Sequence, residues 1–433
     1  LKKFTPKFLI SAYHYSLASF GALYYHFPSR KIKVIGITGT KGKSSTLFLT
    51  AKIFEAAGHK VNWVSSLTIK QRDREFLNPF HMTMPGRFFI QKALSKAVKF
   101  GCDYFLIEVT SEGVKQHRHR FIDFDTAVFT NLAPEHIEAH GSFENYKKAK
   151  SQLFRNLEKS FVKTLKGEKI PKTIIANVDD ENCAYFLNFW ADQKIGFGLN
   201  PLANCLRACN LAIIPSSERQ LFISPLLGKF NFYNNLAAYT IAISQKIDKE
   251  LIKSVLAKIK LIPGRMEEIK EGQKFQVVVD LAHTPESFEQ VFETVNLIKR
   301  PSSKIIVVFG SAGGGRDRWK RPELGRLAAQ YADFIVLTNE DPYNENPKNI
   351  INEITTGIKN SKFLSDRLLK IEDRRLGIRK GLELAKISDI VLILGKGTES
   401  TYIVGDTKYP WDDRRVVSEE LKNILKESQR SST

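Results

Sequence analysis

A run near the start of the chain combines glycines, a lysine and serines in an order that suits phosphate: Gly36-Ile37-Thr38-Gly39-Thr40-Lys41-Gly42-Lys43-Ser44-Ser45. The apolar stretch 34–38 reads as a strand that ends in a glycine turn, and a helical pattern starts at the lysine–serine pair. Backbone N–H groups of such a turn, together with the helix N-terminus, face an anion. Gly39, Thr40, Gly42, Lys43, Ser44 and Ser45 are therefore candidate nucleotide contacts, with Lys43 reaching the terminal phosphates and the Ser44 hydroxyl ligating magnesium. The spacing departs from the strict G-x-x-x-x-G-K-S pattern, because Ile37 stands where the first glycine belongs. The alternative is a chance glycine-rich turn; the strand before and the helix after argue against it. A second candidate is Glu108, late in the buried run 103–109. A carboxylate at the C-terminal end of a parallel strand points into a ligand crevice.

These groups need a sheet to hold them. Apolar runs at 34–38, 103–109, 126–130 and 173–177 read as buried strands, with helical patterns at 46–57, 88–100 and 146–157 between them. The alternation predicts a mostly parallel sheet covered by helices on both faces. A second strand series follows at 275–280, 305–309, 333–337 and 389–394. Between the two series lies Ile262-Pro263-Gly264-Arg265, a turn signal after a helix. The polar tail after Lys426 is expected to fray.

The bulk composition limits the function classes. A chain of 433 residues is long enough for two or three domains, and 42% hydrophobic with 26% charged residues describes a globular protein. The net charge of +20 suits nucleic acid, anionic lipid or a polyanionic small molecule. No dense basic run interleaved with aromatics stands out, so nucleic acid is not the expected partner. Cys102, Cys183, Cys205 and Cys209 form no C-x-x-C pair, which argues against a disulfide scaffold or zinc ribbon and fits a reducing, cytoplasmic setting. Cys205 and Cys209 read as two buried thiols. Residues 8–27 lack Lys, Arg, Asp and Glu but carry His14, His26, three serines and four tyrosines, poor choices for a hydrocarbon core. The expectation is a helix docked on the protein, with peripheral membrane contact and a membrane span as the alternatives.

The form G-x-x-G-T-x-G-K-S resembles the Mur ligase and folylpolyglutamate synthase superfamily, and the resemblance runs over nearly the whole chain. It implies an α/β fold: a P-loop central ATPase domain with a mostly parallel sheet, followed by a C-terminal Rossmann-like Mur ligase domain. It further implies that Glu108 binds magnesium. Thr130-Asn131-Leu132-Ala133-Pro134-Glu135-His136 resembles the family's T-N-x-x-x-[DE]-H motif, which makes His136 a second metal ligand. Tyr146-Lys147-Lys148-Ala149-Lys150-Ser151-Gln152-Leu153-Phe154 resembles the segment carrying a carbamylated lysine, aligned with Lys150. Composition alone does not choose between Lys147, Lys148 and Lys150; a solvated lysine cluster is the plain alternative. With Ser44, these residues would serve two magnesium ions against ATP.

Among the family's subgroups the chain is most similar to the tripeptide synthetases. Thr110, Gln116 and Arg118 resemble their contacts to a muramoyl-dipeptide, although Glu112 stands where histidine is usual. Gln and Arg suit a carboxylate or sugar. Asn234, in Gly228-Lys229-Phe230-Asn231-Phe232-Tyr233-Asn234, would approach adenine; Asn231 could equally be a helix cap. Arg265 belongs to a hinge motif and would touch ATP phosphates after closure. Asp280 would meet the ribose, and Arg316 and Lys320 the γ-phosphate side. Glu340-Asp341-Pro342-Tyr343 aligns with D-N-P-R, whose arginine reads the distal carboxylate of diaminopimelate; tyrosine cannot. Glu399, in Gly395-Lys396-Gly397-Thr398-Glu399, suits a side-chain amine. Glu340, Asp341, Tyr343 and Glu399 are thus candidate acceptor contacts for a diamine such as lysine or ornithine. Arg374, in Asp373-Arg374-Arg375, resembles the family's D-R motif and Asp412-Asp413-Arg414 its closing D-D-R segment; both are expected to brace the fold.

The implied organisation is an N-terminal apolar helix (1–30) in the place of the usual UDP-binding domain, a central domain (31–262) and a C-terminal domain (263–433). The implied function is ATP-dependent ligation of an amino acid to a muramoyl-dipeptide-like carboxylate through an acyl phosphate, by a monomer, in cell-wall peptide synthesis. The alternatives are a ligase of the superfamily with a poly-amino-acid or folate-type donor, and a nucleotide-binding regulator without chemistry.

Overall fold

The computed structural model describes residues 6–80, 82–135, 137–209, 211–213, 225–361 and 363–430. Two compact units emerge, one of Leu1–Leu226 with Phe230–Lys260 and one of Leu227–Lys229 with Leu261–Thr433.

In the first unit the chain runs α1 (Lys7–Tyr24), β1 (Lys33–Thr38), α2 (Lys43–Ala56), β2 (Val61–Val64), β3 (Thr68–Gln71), β4 (Arg74–Leu77), α3 (Arg87–Lys99), β5 (Tyr104–Glu108) and α4 (Ser111–Lys115). It continues through β6 (Thr126–Phe129), α5 (Ile137–His140), α6 (Phe143–Lys159), a hairpin β7 (Thr164–Leu165) and β8 (Glu168–Lys169), β9 (Thr173–Asn177), α7 (Cys183–Leu187), β10 (Gln193–Phe197), α8 (Ala203–Arg207), β11 (Leu211–Ile213), α9 (Lys229–Ser244) and α10 (Lys249–Lys258). The nine-stranded sheet has the order β11-β10-β9-β6-β1-β5-β2-β3-β4. β1 pairs in parallel with both β5 and β6. These strands are mostly apolar and buried almost end to end, because helices cover both faces, which removes the usual polar alternation. Their C-terminal ends bring the phosphate loop, Glu108 and Thr130-Asn131 to one edge of the sheet.

The helix α1 lies on α3. Ala18 and Ala22 are buried, and Gly21 lies against Phe88 and Gln91; these small residues let the two helices come close. No described helix is long and apolar enough to cross a membrane. Cys183 and Cys205 form a disulfide with Cα atoms 5.9 Å apart. That corrects the reading of Cys205 as a free buried thiol: the loop after β9 folds back and brings α7 against α8, a juxtaposition of residues 22 apart that no short cysteine motif announces. Cys209 remains free.

The second unit runs β12 (Glu267–Glu268), β13 (Gln276–Asp280), α11 (Pro285–Ile298), β14 (Ile305–Phe309), α12 (Lys320–Tyr331), β15 (Phe334–Leu337), α13 (Pro347–Lys359), β16 (Leu368–Lys370), α14 (Arg374–Leu384), β17 (Ile390–Leu394), a hairpin β18 (Thr401–Val404) and β19 (Thr407–Pro410), and α15 (Asp413–Arg430). Its main sheet has the order β12-β13-β17-β14-β15-β16, parallel except at β12. Two apolar clusters fill its faces, one around Phe288, Phe292 and Leu324, the other around Ile378, Val416 and Leu421. The tail expected to fray from Lys426 is instead helical to Arg430, and Arg379 holds Glu427 at 2.6 Å.

Candidate active site

The phosphate loop is shaped by backbone that a side chain would spoil. Gly42 adopts φ +80° as the N-cap of α2. A Cβ there would sit 2.5 Å from Asn234 Oδ1, so the adenine candidate of α9 packs directly on the loop. Asn234 Nδ2 donates to Asn231 Oδ1 at 3.1 Å, and Asn231 lies inside the helix rather than at its cap. Asn131, in the sequence one member of the T-N-x-x-x-[DE]-H pattern with no role of its own, braces the loop from both sides. Its Oδ1 accepts from Lys41 N at 2.8 Å and its Nδ2 donates to Lys41 O at 3.1 Å. Thr40 Oγ1 lies 3.2 Å from the Tyr146 hydroxyl. Lys43 Nζ donates to the carbonyls of Gly39 (2.9 Å) and Thr40 (2.8 Å). Ser44 and Ser45 are buried at the start of α2.

Lys150 shares that ground. Its Nζ donates to Gly39 O at 2.7 Å and stands 4.4 Å from the Tyr146 ring centroid. Lys150 is 2% exposed, whereas Lys148 is exposed and Lys147 rests half-buried over the Tyr185 ring. Burial, reinforced by the neighbouring ammonium of Lys43, pushes the Lys150 amine well below the usual lysine range. A neutral amine is the form that adds carbon dioxide, and a carbamate there would be compensated by Lys43 and Lys41. Lys41 itself pairs with Glu135 at 3.0 Å.

Glu108 is buried and held from outside the sheet. Its Oε1 accepts from Ser66 N at 2.7 Å and its Oε2 from Ser66 Oγ at 3.2 Å; Ser66 Oγ in turn meets Thr83 Oγ1 at 2.7 Å. His136 lies outside the described residues. Among those described, no three His, Cys, Asp or Glu side chains gather as a metal cluster. The described oxygen donors are the Ser44 hydroxyl at the start of α2 and the Glu108 carboxylate at the end of β5. Such donors fit magnesium, a hard cation that takes oxygen ligands.

The donor candidates follow β5. Thr110 Oγ1 caps α4 by accepting from Gly113 N at 3.1 Å. Gln116 Oε1 accepts from Arg118 Nη2 at 2.7 Å, and Arg118 Nη1 donates to the Met84 carbonyl.

In the second unit Asp341 and Glu399 meet at Lys396, a lysine to which its sequence motif assigns no role. Lys396 Nζ, fully buried, pairs with Asp341 Oδ1 at 2.9 Å and Glu399 Oε2 at 3.0 Å. Burial alone would raise the Glu399 carboxyl; Lys396 and Arg316 outweigh it and hold the group below its ordinary value. Glu340 is buried with Oε2 lacking a hydrogen-bond partner among the described residues, and burial raises its carboxyl despite Arg374, Lys396 and Lys320 nearby. Arg316 donates to the Tyr343 side chain and feels Glu399. Gly314, at φ +70°, lays the loop onto the Tyr343 ring, 2.7 Å from where a Cβ would stand. Lys320 Nζ donates to His283 O at 3.0 Å. Both Asp280 oxygens take backbone donors, Met266 N at 2.7 Å and Ala282 N at 2.6 Å, so this side chain braces the loop as well as facing any ribose. Arg265 keeps a buried Nε without a partner among the described residues. Arg374 grips Asp413 through two bonds of 2.9 and 2.6 Å and donates to Leu394 O at 3.0 Å.

Residues 37–242 match the Mur ligase middle domain, and residues 264–397 match the Mur ligase glutamate ligase domain. The chain is 36% identical over 428 residues to a UDP-N-acetylmuramoyl-L-alanyl-D-glutamate–2,6-diaminopimelate ligase of Syntrophomonas wolfei, covering 95% of this chain and 82% of that protein. It is 35% identical over 422 residues to a UDP-N-acetylmuramyl-tripeptide synthetase of Roseiflexus sp. strain RS-1, covering 93% and 82%. A solved UDP-N-acetylmuramoyl-L-alanyl-D-glutamate–2,6-diaminopimelate ligase superposes with a TM-score of 0.56 at 27% identity, over 91% of this chain and 79% of that one.

Proposed function

The chain belongs to the Mur ligase family, and from that premise we propose that it joins an amino acid to the free carboxylate of a UDP-muramoyl-dipeptide at the expense of ATP. The observation that carries this reading is the convergence of Lys43, Ser44, Lys150 and the end of the Glu108 strand on one edge of one sheet. The donor carboxylate attacks the γ-phosphorus; a P–O bond forms there as the bond to the β-phosphate bridge breaks, releasing ADP. The acceptor amine then forms the C–N bond to the acyl carbon, and phosphate leaves. Lys43 and the loop N–H groups hold the phosphates, and preorganised charge of this kind is the main source of rate in phosphoryl transfer. Ser44, Glu108, His136 and carbamylated Lys150 would hold two magnesium ions, which supply neutralisation of the triphosphate when bound.

The acceptor is a diamine, and we favour lysine or ornithine because Tyr343 stands where an arginine would read a distal carboxylate. Arg316, beside Tyr343, is already engaged by Tyr343 and by Glu399. The relatives named above include diaminopimelate ligases, so direct competition is the decisive assay. With lysine, ornithine and meso-diaminopimelate present together, product masses should show lysine or ornithine incorporated in at least about tenfold excess, the effect of one lost charged bond. Predominant diaminopimelate would overturn the acceptor reading and leave the ligase reading standing. A folate-type or poly-amino-acid donor is separated from the muramoyl one by the same assay run with each donor.

We further place the enzyme in the cytoplasm, as a monomer divided at 1–30, 31–262 and 263–433. The outward face of α1 bears Phe8 (70% exposed), Tyr13 (61%), Phe20 (59%) and Tyr24 (63%), an amphipathic surface of the kind that lies in a bilayer interface. Co-sedimentation with anionic vesicles, weakened by Phe8→Ser with Phe20→Ser, tests peripheral contact; no sedimentation rejects it.

A further inference from the structure

Beside the donor segment lies a basic cluster in which the chemistry above gives a role to Arg118 alone. Arg87, His117, Arg118 and Arg120 gather where the N-terminal half of α1 meets α3 and the turn after α4. Arg87 Nε donates to Gln116 O at 2.9 Å, and Arg118 Nη2 donates to the side chain of the same glutamine at 2.7 Å. From α1, Ser11 Oγ lies 2.8 Å from His117 Nε2, and the Tyr15 ring stands edge-on to His117 and Phe121. Each of the four basic side chains keeps a buried nitrogen without a hydrogen-bond partner among the described residues: Arg87 Nη2, His117 Nδ1, Arg118 Nε and Arg120 Nε. The side chains are close enough to depress one another: Arg118 acts on Arg87, and Arg120 and Arg87 act on His117, in each case adding to burial. The carboxylate that bears on Arg118 is Glu112, which is 61% exposed and itself occupied with Lys115. Positive charge gathered this way, with donors to spare, is arranged for an anion.

The cluster is also continuous with the reacting end. Glu108 binds Ser66, Ser66 meets Thr83, the next residue Met84 accepts from Arg118, and Arg118 holds Gln116. A ligand with its carboxylate at Glu108 and its body along Thr110, Gln116 and Arg118 would carry its far end to Arg87, His117 and Arg120.

We propose that Arg87, His117 and Arg120, walled by α1, bind the diphosphate of the nucleotide-linked donor, so that the first unit itself reads the end of the donor remote from the reaction. The proposal rests on the muramoyl-dipeptide reading. Guanidinium groups pair with phosphate through two parallel bonds, which neither lysine nor glutamine reproduces.

The test compares two donors on the full chain, UDP-N-acetylmuramoyl-dipeptide and the same muramoyl-dipeptide without UDP. The wild type should show a lower KM for the UDP-linked donor. Arg120→Gln and Arg87→Gln should each raise that KM about tenfold, as loss of a charged bond predicts, while kcat and the KM for ATP stay near wild type. The KM ratio between the donors should collapse toward one. Equal KM values in the wild type, or a variant that raises both KM values alike, would overturn the proposal. Arg120→Gln is the safer variant, since Arg87 also ties down the Gln116 backbone. If neither donor turns over, the ligase reading is what has failed. Calorimetry with UDP alone then decides the cluster: binding weakened about tenfold by Arg120→Gln supports it, and no binding by the wild type rejects it.

Discussion

Lys43 and Lys150 both direct their nitrogens at the carbonyl of Gly39. Burial, with the Lys43 ammonium beside it, pushes the deeper amine well below the usual lysine range, and a neutral amine is the form from which a carbamate is made. Lys43→Ala should therefore abolish ADP production, and near-normal turnover would remove the phosphate loop from the mechanism. Lys150→Ala should be nearly inactive, with partial recovery on adding short carboxylic acids that replace the missing oxygen ligand; full activity without them would exclude the carbamate. Choosing Lys150 among its neighbours was a matter of family likeness in the sequence. The helical period could have chosen it, because Tyr146, Lys150, Leu153 and Leu157 fall on the buried face of α6. Lys396 was harder to find. It lay in plain view in Gly395-Lys396-Gly397, but its carboxylate partners include Asp341, far away in sequence, and no local pattern reports that meeting. Glu340 offers a test by pH. Burial raises its carboxyl, so the stability linked to its protonation is full below the unfolded value of about 4.3 and is lost as pH rises through the folded value. Glu340→Gln keeps the neutral form. Its unfolding free energy, measured by denaturant without ligands, should match the wild type near pH 4 and exceed it near pH 8 by about 1–3 kcal/mol. Parallel pH profiles would contradict this.

At the scale of elements, long apolar runs between helical patterns were legible, and the strands at β1, β5, β6, β9, β13, β14, β15 and β17 fall within a residue or two of where the pattern puts them. The strands β2 to β4 were not. Val61-Asn62-Trp63-Val64 is short and interrupted by a polar residue, and β4 is exposed along its length, so neither shows the continuous apolar run of a covered strand. Asn62 is nevertheless buried, because its side chain binds the backbone of Arg72 in the turn between β3 and β4. The disulfide between α7 and α8 escaped for the same reason as Lys396: its partners are joined by tertiary folding alone. The seam between α14 and α15 depends on Arg374 and Asp413, both fully buried. Removing one partner strands the other charge in the interior, which costs about 3–5 kcal/mol. Arg374→Ala should accordingly lower the unfolding free energy by that amount, and a loss below about 1 kcal/mol, the worth of an exposed pair, would show that the pair is not the brace it is taken to be.

For the whole molecule, each unit is a sheet of mainly parallel strands whose loops emerge from the strand C-termini, the place where such sheets bind ligands. The first unit carries Lys43, Glu108 and Lys150; the second carries Arg316, Tyr343, Lys396 and Glu399. An ATP-dependent ligase needs both sets, whereas a nucleotide-binding regulator would need only the first. The measurement that separates them is ADP release, followed with ATP and magnesium while UDP-muramoyl-dipeptide and a diamine amino acid are supplied singly and together, with the ligated product identified by mass. ADP release that requires both substrates, matches product one for one and disappears in Lys43→Ala is the predicted result. ADP release indifferent to both substrates, or none with any donor and amino acid offered, would contradict the assignment of this chain as an amide-bond ligase.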